Sequence, residues 1–116
     1  MVGLMQRGEI WVTSFNPARG RETGKSRPCL IIQSNQLIAH SETIFALPLT
    51  TRAPERTSIL RYPLPARDRL RRDCFIMVDH GRALDREKFT DGPLTQLSDD
   101  ELEAVEHRLL MVLGMG

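Results

Sequence analysis

Aromatic side chains are scarce in this 116-residue chain: four Phe, one Trp and one Tyr make up 5% of it. That leaves few platforms for stacking a planar ligand, with Phe15 and Trp11 the candidates. Trp11 sits inside an apolar strand and reads as core. Cysteine is scarce too. Cys29 and Cys74 each lie in an apolar run, and no Cys/His spacing resembles a zinc site. Both read as reduced core thiols, which points to the cytosol. No apolar stretch approaches the roughly 20 residues of a membrane span, and the start lacks the charged-then-apolar pattern of a signal peptide. Repeats and low-complexity segments are missing. Nothing suggests a metal or an organic cofactor, and none is expected.

What is present is arginine. Of 16 basic residues only Lys25 and Lys88 are lysine. The net charge of +1 hides an asymmetry: residues 1–72 hold 12 Lys/Arg against 5 Asp/Glu, and residues 73–116 hold 4 against 10. A basic body with an acidic end suggests an anionic partner on one surface. Arginine forks onto phosphate oxygens with two parallel hydrogen bonds, which suits phosphate chemistry. The bland alternative is a solvated, arginine-rich surface. With 41% hydrophobic and 27% charged residues, the length fits one domain spanning 1–116. Residues 1–5 read as a short N-terminal extension, Met5 being as good a start as Met1.

Glu-Ile-Trp-Val-Thr-Ser within 8–14, the apolar run 28–34, and 43–49 read as strands; 57–64 is a further candidate and 73–78 another buried strand. Pro48 suggests a bulge or an edge. Residues 15–27, 50–56 and 65–72 are charged connectors, 35–41 holds a helical turn, and 80–84 either continues the sheet or leaves it. From Ser98 the pattern turns helical. Glu101 stands three residues on, as a capping box requires. Leu102, Val105, Leu109, Val112 and Leu113 recur on one face, and Gly114 stops the run. Short strands closed by one helix predict a mainly β fold, a small curled antiparallel barrel with a C-terminal α-helix.

Several blocks then become recognisable. Arg7-Gly-Glu-Ile-Trp-Val opens the domain. Phe15-Asn-Pro-Ala-Arg-Gly-Arg-Glu and Lys25-Ser-Arg-Pro-Cys-Leu-Ile-Ile follow, and Leu47-Pro-Leu-Thr-Thr and Asp79-His-Gly-Arg-Ala-Leu-Asp come later. In this order the chain resembles the MazF/PemK (Kid) toxins from Met5 onward. The resemblance implies an SH3-like β-barrel assembled as a homodimer. It implies sequence-selective cleavage of single-stranded RNA, metal-independent and driven by the 2′-hydroxyl. It also implies a small antitoxin partner and a cytoplasmic setting.

The resemblance assigns roles that the residues alone leave open. Arg27 matches the family's main catalytic arginine; otherwise it is a surface cation at a strand entrance. Thr50 matches a catalytic threonine, with Thr51 beside it; otherwise both are strand-end threonines favoured by β propensity. Glu22 matches a functional acidic position, where a carboxylate can orient Arg27 or take a proton. Otherwise it pairs with Arg21 or Lys25. Asp79 matches an acidic position, and His80 stands where relatives often carry Gln; an imidazole there can act as acid or base. Arg19, Arg21, Lys25, Arg52, Arg56 and Arg82 are candidates to hold RNA phosphates. Arg21 and Met77 replace the His and Arg that one branch of the family uses, so the Arg27 plus Thr50 scheme of the other branch fits better. Non-catalytic alternatives are a toxin on the same fold that binds a protein such as DNA gyrase, and a basic SH3-like nucleic-acid adaptor.

Overall fold

The computed structural model describes residues 5–15 and 25–116. Seven strands form one antiparallel sheet: β1 (Glu9–Ser14), β2 (Ser26–Ile31), β3 (Thr43–Thr50), β4 (Arg61–Leu64), β5 (Cys74–Met77), β6 (Arg82–Asp85) and β7 (Phe89–Gln96). A single helical turn, α1 (Asn35–Ile38), precedes β3, and α2 (Asp99–Val112) ends the chain. The spatial order is β4-β5-β3-β2-β1-β7, with β6 beside the first half of β3.

The β2 sequence is apolar without alternation because both of its faces are covered. Leu30, with Leu47 and Leu49 of β3, faces a cluster that includes Ile10, Ile76 and Val105 of α2. Cys29 and Ile31 face a second cluster with Trp11, Ile44, Leu84 and Phe89. Each fully buried Leu or Ile there contributes roughly 1.5–3 kcal/mol. Glycine is required at two points. Gly8 turns the chain into β1 at φ 92°, a conformation open to glycine without strain. At Gly92 a Cβ would lie 2.6 Å from Trp11 Cγ, so the bare backbone is what lets β7 lie against the indole.

Pro48 is at neither an edge nor a bulge. It pairs with Cys29 on one side; on the other, β3 changes partner around it, from β6 at Thr43–Ala46 to β5 at Leu49–Thr50. A proline, lacking an N–H, fits the point where a ladder is interrupted. Strand β7 was absent from the sequence expectation. It carries Gly92-Pro93 and pairs with β1 through two register shifts, which an edge strand tolerates. Only Arg61–Leu64 of the candidate 57–64 is strand. Residues 78–80 form a 3-10 turn before β6.

The sheet is curled but open between β4 and β7, and the connector 65–73 spans the gap. Arg69 N–H donates to Leu94 O (2.9 Å) and the Thr95 hydroxyl to Asp68 Oδ2 (2.6 Å). Arg67 is held hardest. Its guanidinium meets the Glu101 carboxylate at 2.7 and 2.8 Å and donates to Thr95 Oγ1 and Gln96 O. Glu101 is also the third helical residue of α2, where its carboxylate accepts the Ser98 N–H and its own N–H donates to Ser98 Oγ. One carboxylate thus closes the helix cap and anchors the loop that completes the barrel. The Arg67 hydrogen bond lowers the Glu101 pKa, and partial burial opposes it without reversing it. The second half of the α2 stripe stays outside: Val112 and Leu113 are exposed, as are Leu110 and Met111.

Candidate active site

Three clefts open side by side where β2, β3 and β5 end. The first, about 360 Å³, is lined by Arg27 and Pro28 of β2, Leu49 and Thr50 of β3, Thr51, Arg71 and Arg72, with Leu70 and Leu94 on its walls. The second, about 230 Å³, lies beyond Arg27 and is lined by Phe15, Lys25, Pro48, Met77, His80 and Arg82. The third, about 400 Å³, lies beyond Thr50 and includes Arg52, Glu55, Arg61 and Met77. Arg27 therefore forms the wall between the first two clefts, and Thr50 the wall between the first and third.

Strand register explains why Arg27 and Thr50 line one cleft. β2 and β3 pair at Cys29/Pro48, Leu30/Leu47 and Ile31/Ala46. Continued two residues outward, that register sets Arg27 across from Thr50, and opposed residues in an antiparallel pair project to the same face. Both positions are half-buried. On its other side Arg27 pairs with the fully buried Thr13 of β1, which fixes its backbone in the sheet. The Thr50 oxygen accepts the Arg52 N–H (3.2 Å), which orients the side chain and leaves its O–H to donate.

The Phe15 ring stands between two cations. The Arg82 guanidinium lies 5.1 Å and the Arg27 guanidinium 5.8 Å from its centroid, within cation–π range. The ring holds both side chains toward the second cleft. Trp11, the other aromatic candidate, is core: 5% exposed, with its ring N–H donating to Glu9 Oε1.

Asp79 is drawn to Arg61, with Oδ1 2.6 Å from Nη1. Partial burial favours its neutral form, but the Arg61 hydrogen bond and charge outweigh this and hold the carboxyl below the ordinary carboxylate range. His80 Nε2 lies 3.7 Å from the same oxygen, an ion pair when the ring is protonated. Cys29 lies below Arg27. Burial pushes its thiol up to about 11, only partly offset by a hydrogen bond from Thr13 and the charges of Arg27 and Arg82; such a thiol is not a nucleophile near neutrality.

Of the residues expected from sequence, Arg27, Thr50 and Thr51 share the first cleft. Lys25, His80 and Arg82 share the second with Arg27, and Arg52 lies in the third. Arg56 lines a separate depression with Arg108. Arg19, Arg21 and Glu22 lie outside the described residues. Sequence reasoning placed Arg71 and Arg72 on a connector without giving them a site. One hint was their position in the arginine-rich run 67–72. No Asp or Glu is among the described residues that line the first cleft, and no group of three His, Cys, Asp or Glu fit to hold a metal occurs among the described residues.

Residues 6–113 match the family described as "PemK-like, MazF-like toxin of type II toxin-antitoxin system". The chain belongs to the PemK/MazF toxin family. Among its PemK/MazF relatives, it is 27% identical to the Endoribonuclease MazF of Staphylococcus saprophyticus, over 97% of this chain and 93% of that one. It superimposes with a TM-score of 0.82 on a MazE–MazF crystal structure from Deinococcus radiodurans, at 26% identity and covering 97% and 98% of the two chains. The PemK/MazF fold is also shared with a mycobacterial endoribonuclease in complex with its cognate antitoxin, at 20% identity and TM-score 0.75, covering 97% of each chain.

Proposed function

We propose that this toxin is an endoribonuclease that cuts single-stranded RNA by in-line attack of a ribose 2′-oxygen on the neighbouring phosphorus, without a metal ion. The observation that carries the reading is that Arg27 and Thr50, set opposite one another when the β2–β3 register is continued, line one cleft with no carboxylate among its described lining residues. The resemblance of the chain to the Staphylococcus endoribonuclease supports it.

The chemistry asks for three things. As the 2′-oxygen bonds to phosphorus, the phosphorane gains negative charge on its equatorial oxygens. Arg27 offers a guanidinium that meets two such oxygens at once. The Thr50 O–H donates to one of the same two oxygens or fixes the attacking group. The bond to the 5′-oxygen then breaks, leaving a 2′,3′-cyclic phosphate and a 5′-hydroxyl. The proton lost from the 2′-hydroxyl balances the one gained by the leaving oxygen. His80, on the cleft that Arg27 also lines, is the imidazole available for such transfer. Glu22 is the carboxylate counterpart, outside the described residues. Phe15 supplies a stacking face for a base next to the cut. Lys25, Arg52 and Arg82 supply phosphate contacts, and Asp79 acts through its hold on Arg61.

The similar MazF of Deinococcus radiodurans is crystallised with MazE; we propose that a small antitoxin silences this toxin too, its acidic residues meeting this basic surface, and that the working form is a homodimer. The test is incubation of a long RNA with pure toxin in excess EDTA, followed by sequencing of fragments that begin with a 5′-hydroxyl. Discrete, EDTA-insensitive cut sites are expected. RNA that stays intact, or cleavage that EDTA stops, sinks the reading.

A further inference from the structure

The connector 65–73 carries four arginines and two aspartates within seven residues, and most are already committed. Arg67 is locked to Glu101. Arg69 pairs with Asp91 at 2.8 Å and donates to Pro93 O. Asp68 receives the Thr95 hydroxyl, and Asp73 receives the Ala66 N–H at 2.8 Å. Those five contacts pin the loop from both sides of Leu70, which is itself 3% exposed. Arg71 and Arg72 are what remains. They line the first cleft with Arg27 and Thr50, and among the described residues neither has a carboxylate within ion-pair distance. Three arginines line this cleft against walls of Leu49, Leu70, Leu94 and Pro28, and no Asp or Glu is among its described lining residues, which makes it more positive than one catalytic arginine requires. A rigid loop presents the extra charge at little entropic cost.

We infer that Arg71 and Arg72 together grip a second phosphate of the RNA strand, adjacent to the scissile one, and so set which phosphate reaches Arg27. This rests on the ribonuclease reading. The two arginines are positioning residues: they act on binding and register, and the bond changes occur at Arg27. A substrate with only the scissile phosphate loses this grip.

The experiment uses a short RNA containing one mapped cut site, with cleavage measured against substrate concentration at several salt levels. R71A/R72A is expected to raise KM about tenfold, the effect of losing one charge-assisted contact, with kcat within about twofold of wild type. Its plot of log KM against log salt should be shallower by about 0.7, the value for one phosphate contact on a single strand. Among the positions where replacing a non-scissile phosphate with an uncharged methylphosphonate raises KM in the wild type, the one adjacent to the cut should have no effect in the variant. If the alanine variant melts well below wild type, R71Q/R72Q, which keeps side-chain length, carries the same expectation. An unchanged KM and salt slope overturns the inference, as does a fall in kcat at constant KM or an identical methylphosphonate profile in both proteins. Wild type that cuts no RNA overturns the ribonuclease reading instead, so the two failures are distinct.

Discussion

Arg67 and Arg69 on one side of Leu70, and Arg71 and Arg72 on the other, are the same residue type in the same loop, yet they meet different surroundings. The first pair reaches carboxylates on α2 and β7; the second reaches a cleft with none among its described lining residues. A guanidinium that already has a fitted carboxylate holds structure and has little left for a ligand. One without such a partner raises the local potential and is available to an incoming phosphate. Position relative to acidic side chains, more than residue type, separates structural arginines from functional ones here.

The sharpest test of that contrast compares Arg27 with Arg67. R27A should lower kcat/KM for RNA by about 10³-fold, the scale of losing a preorganised charge at a developing oxyanion, while its melting temperature stays near that of wild type. T50A should follow the same pattern with a loss of about 10–100-fold. Equal activity in R27A and wild type would remove Arg27 from the chemistry. R67A should do the reverse. Loss of a two-pronged pair and two further hydrogen bonds is expected to destabilise by about 2 kcal/mol, a drop in Tm of about 8 °C, with activity falling less than tenfold in the cold. If R67A instead loses activity at full stability, the division between the two pairs fails.

Smaller effects sharpen the picture. The Glu101 and Asp79 carboxyls titrate below the ordinary range in the fold. Their pairs therefore stabilise fully above about pH 5 and lose that contribution as pH falls through the depressed values, below about pH 4. Thermal melts from pH 7 to pH 2 should show this acid loss, and E101Q should flatten it; an identical acid limb in E101Q would count against the link. The smallest effect concerns the thiols. With Cys29 fully buried and raised to about 11, and Cys74 buried, a thiol reagent at pH 8 should label native protein far more slowly than denatured protein. Rapid native labelling would contradict the packing.

The elements legible in the sequence were those whose local pattern agreed with their environment. β1, β2 and β5 are short β-branched or apolar runs, and the Ser98–Glu101 box marks the start of α2. β7 escaped because Gly92-Pro93 and the polar residues before it read as loop; it becomes a strand only because β1 lies alongside and Trp11 needs a bare backbone against it. The helical stripe was half right: Val105 is fully buried and Val112 is not. Sequence alone marked Arg27 as a cation before a proline; the resemblance supplied its proposed role. That Arg67 is tethered and Arg71 is not depends on Glu101, 34 residues away from Arg67, a separation at which no local pattern speaks.

Arg27 borders two clefts at once, and this constrains any attempt to redesign the toxin. Reshaping the Phe15–Arg82 wall to favour another base would tug on the guanidinium proposed to meet the scissile phosphate, so preference and turnover are coupled at one side chain. Selection for a new target sequence should therefore favour changes at the outer rims, away from position 27, and should move the two properties together whenever it reaches the partition.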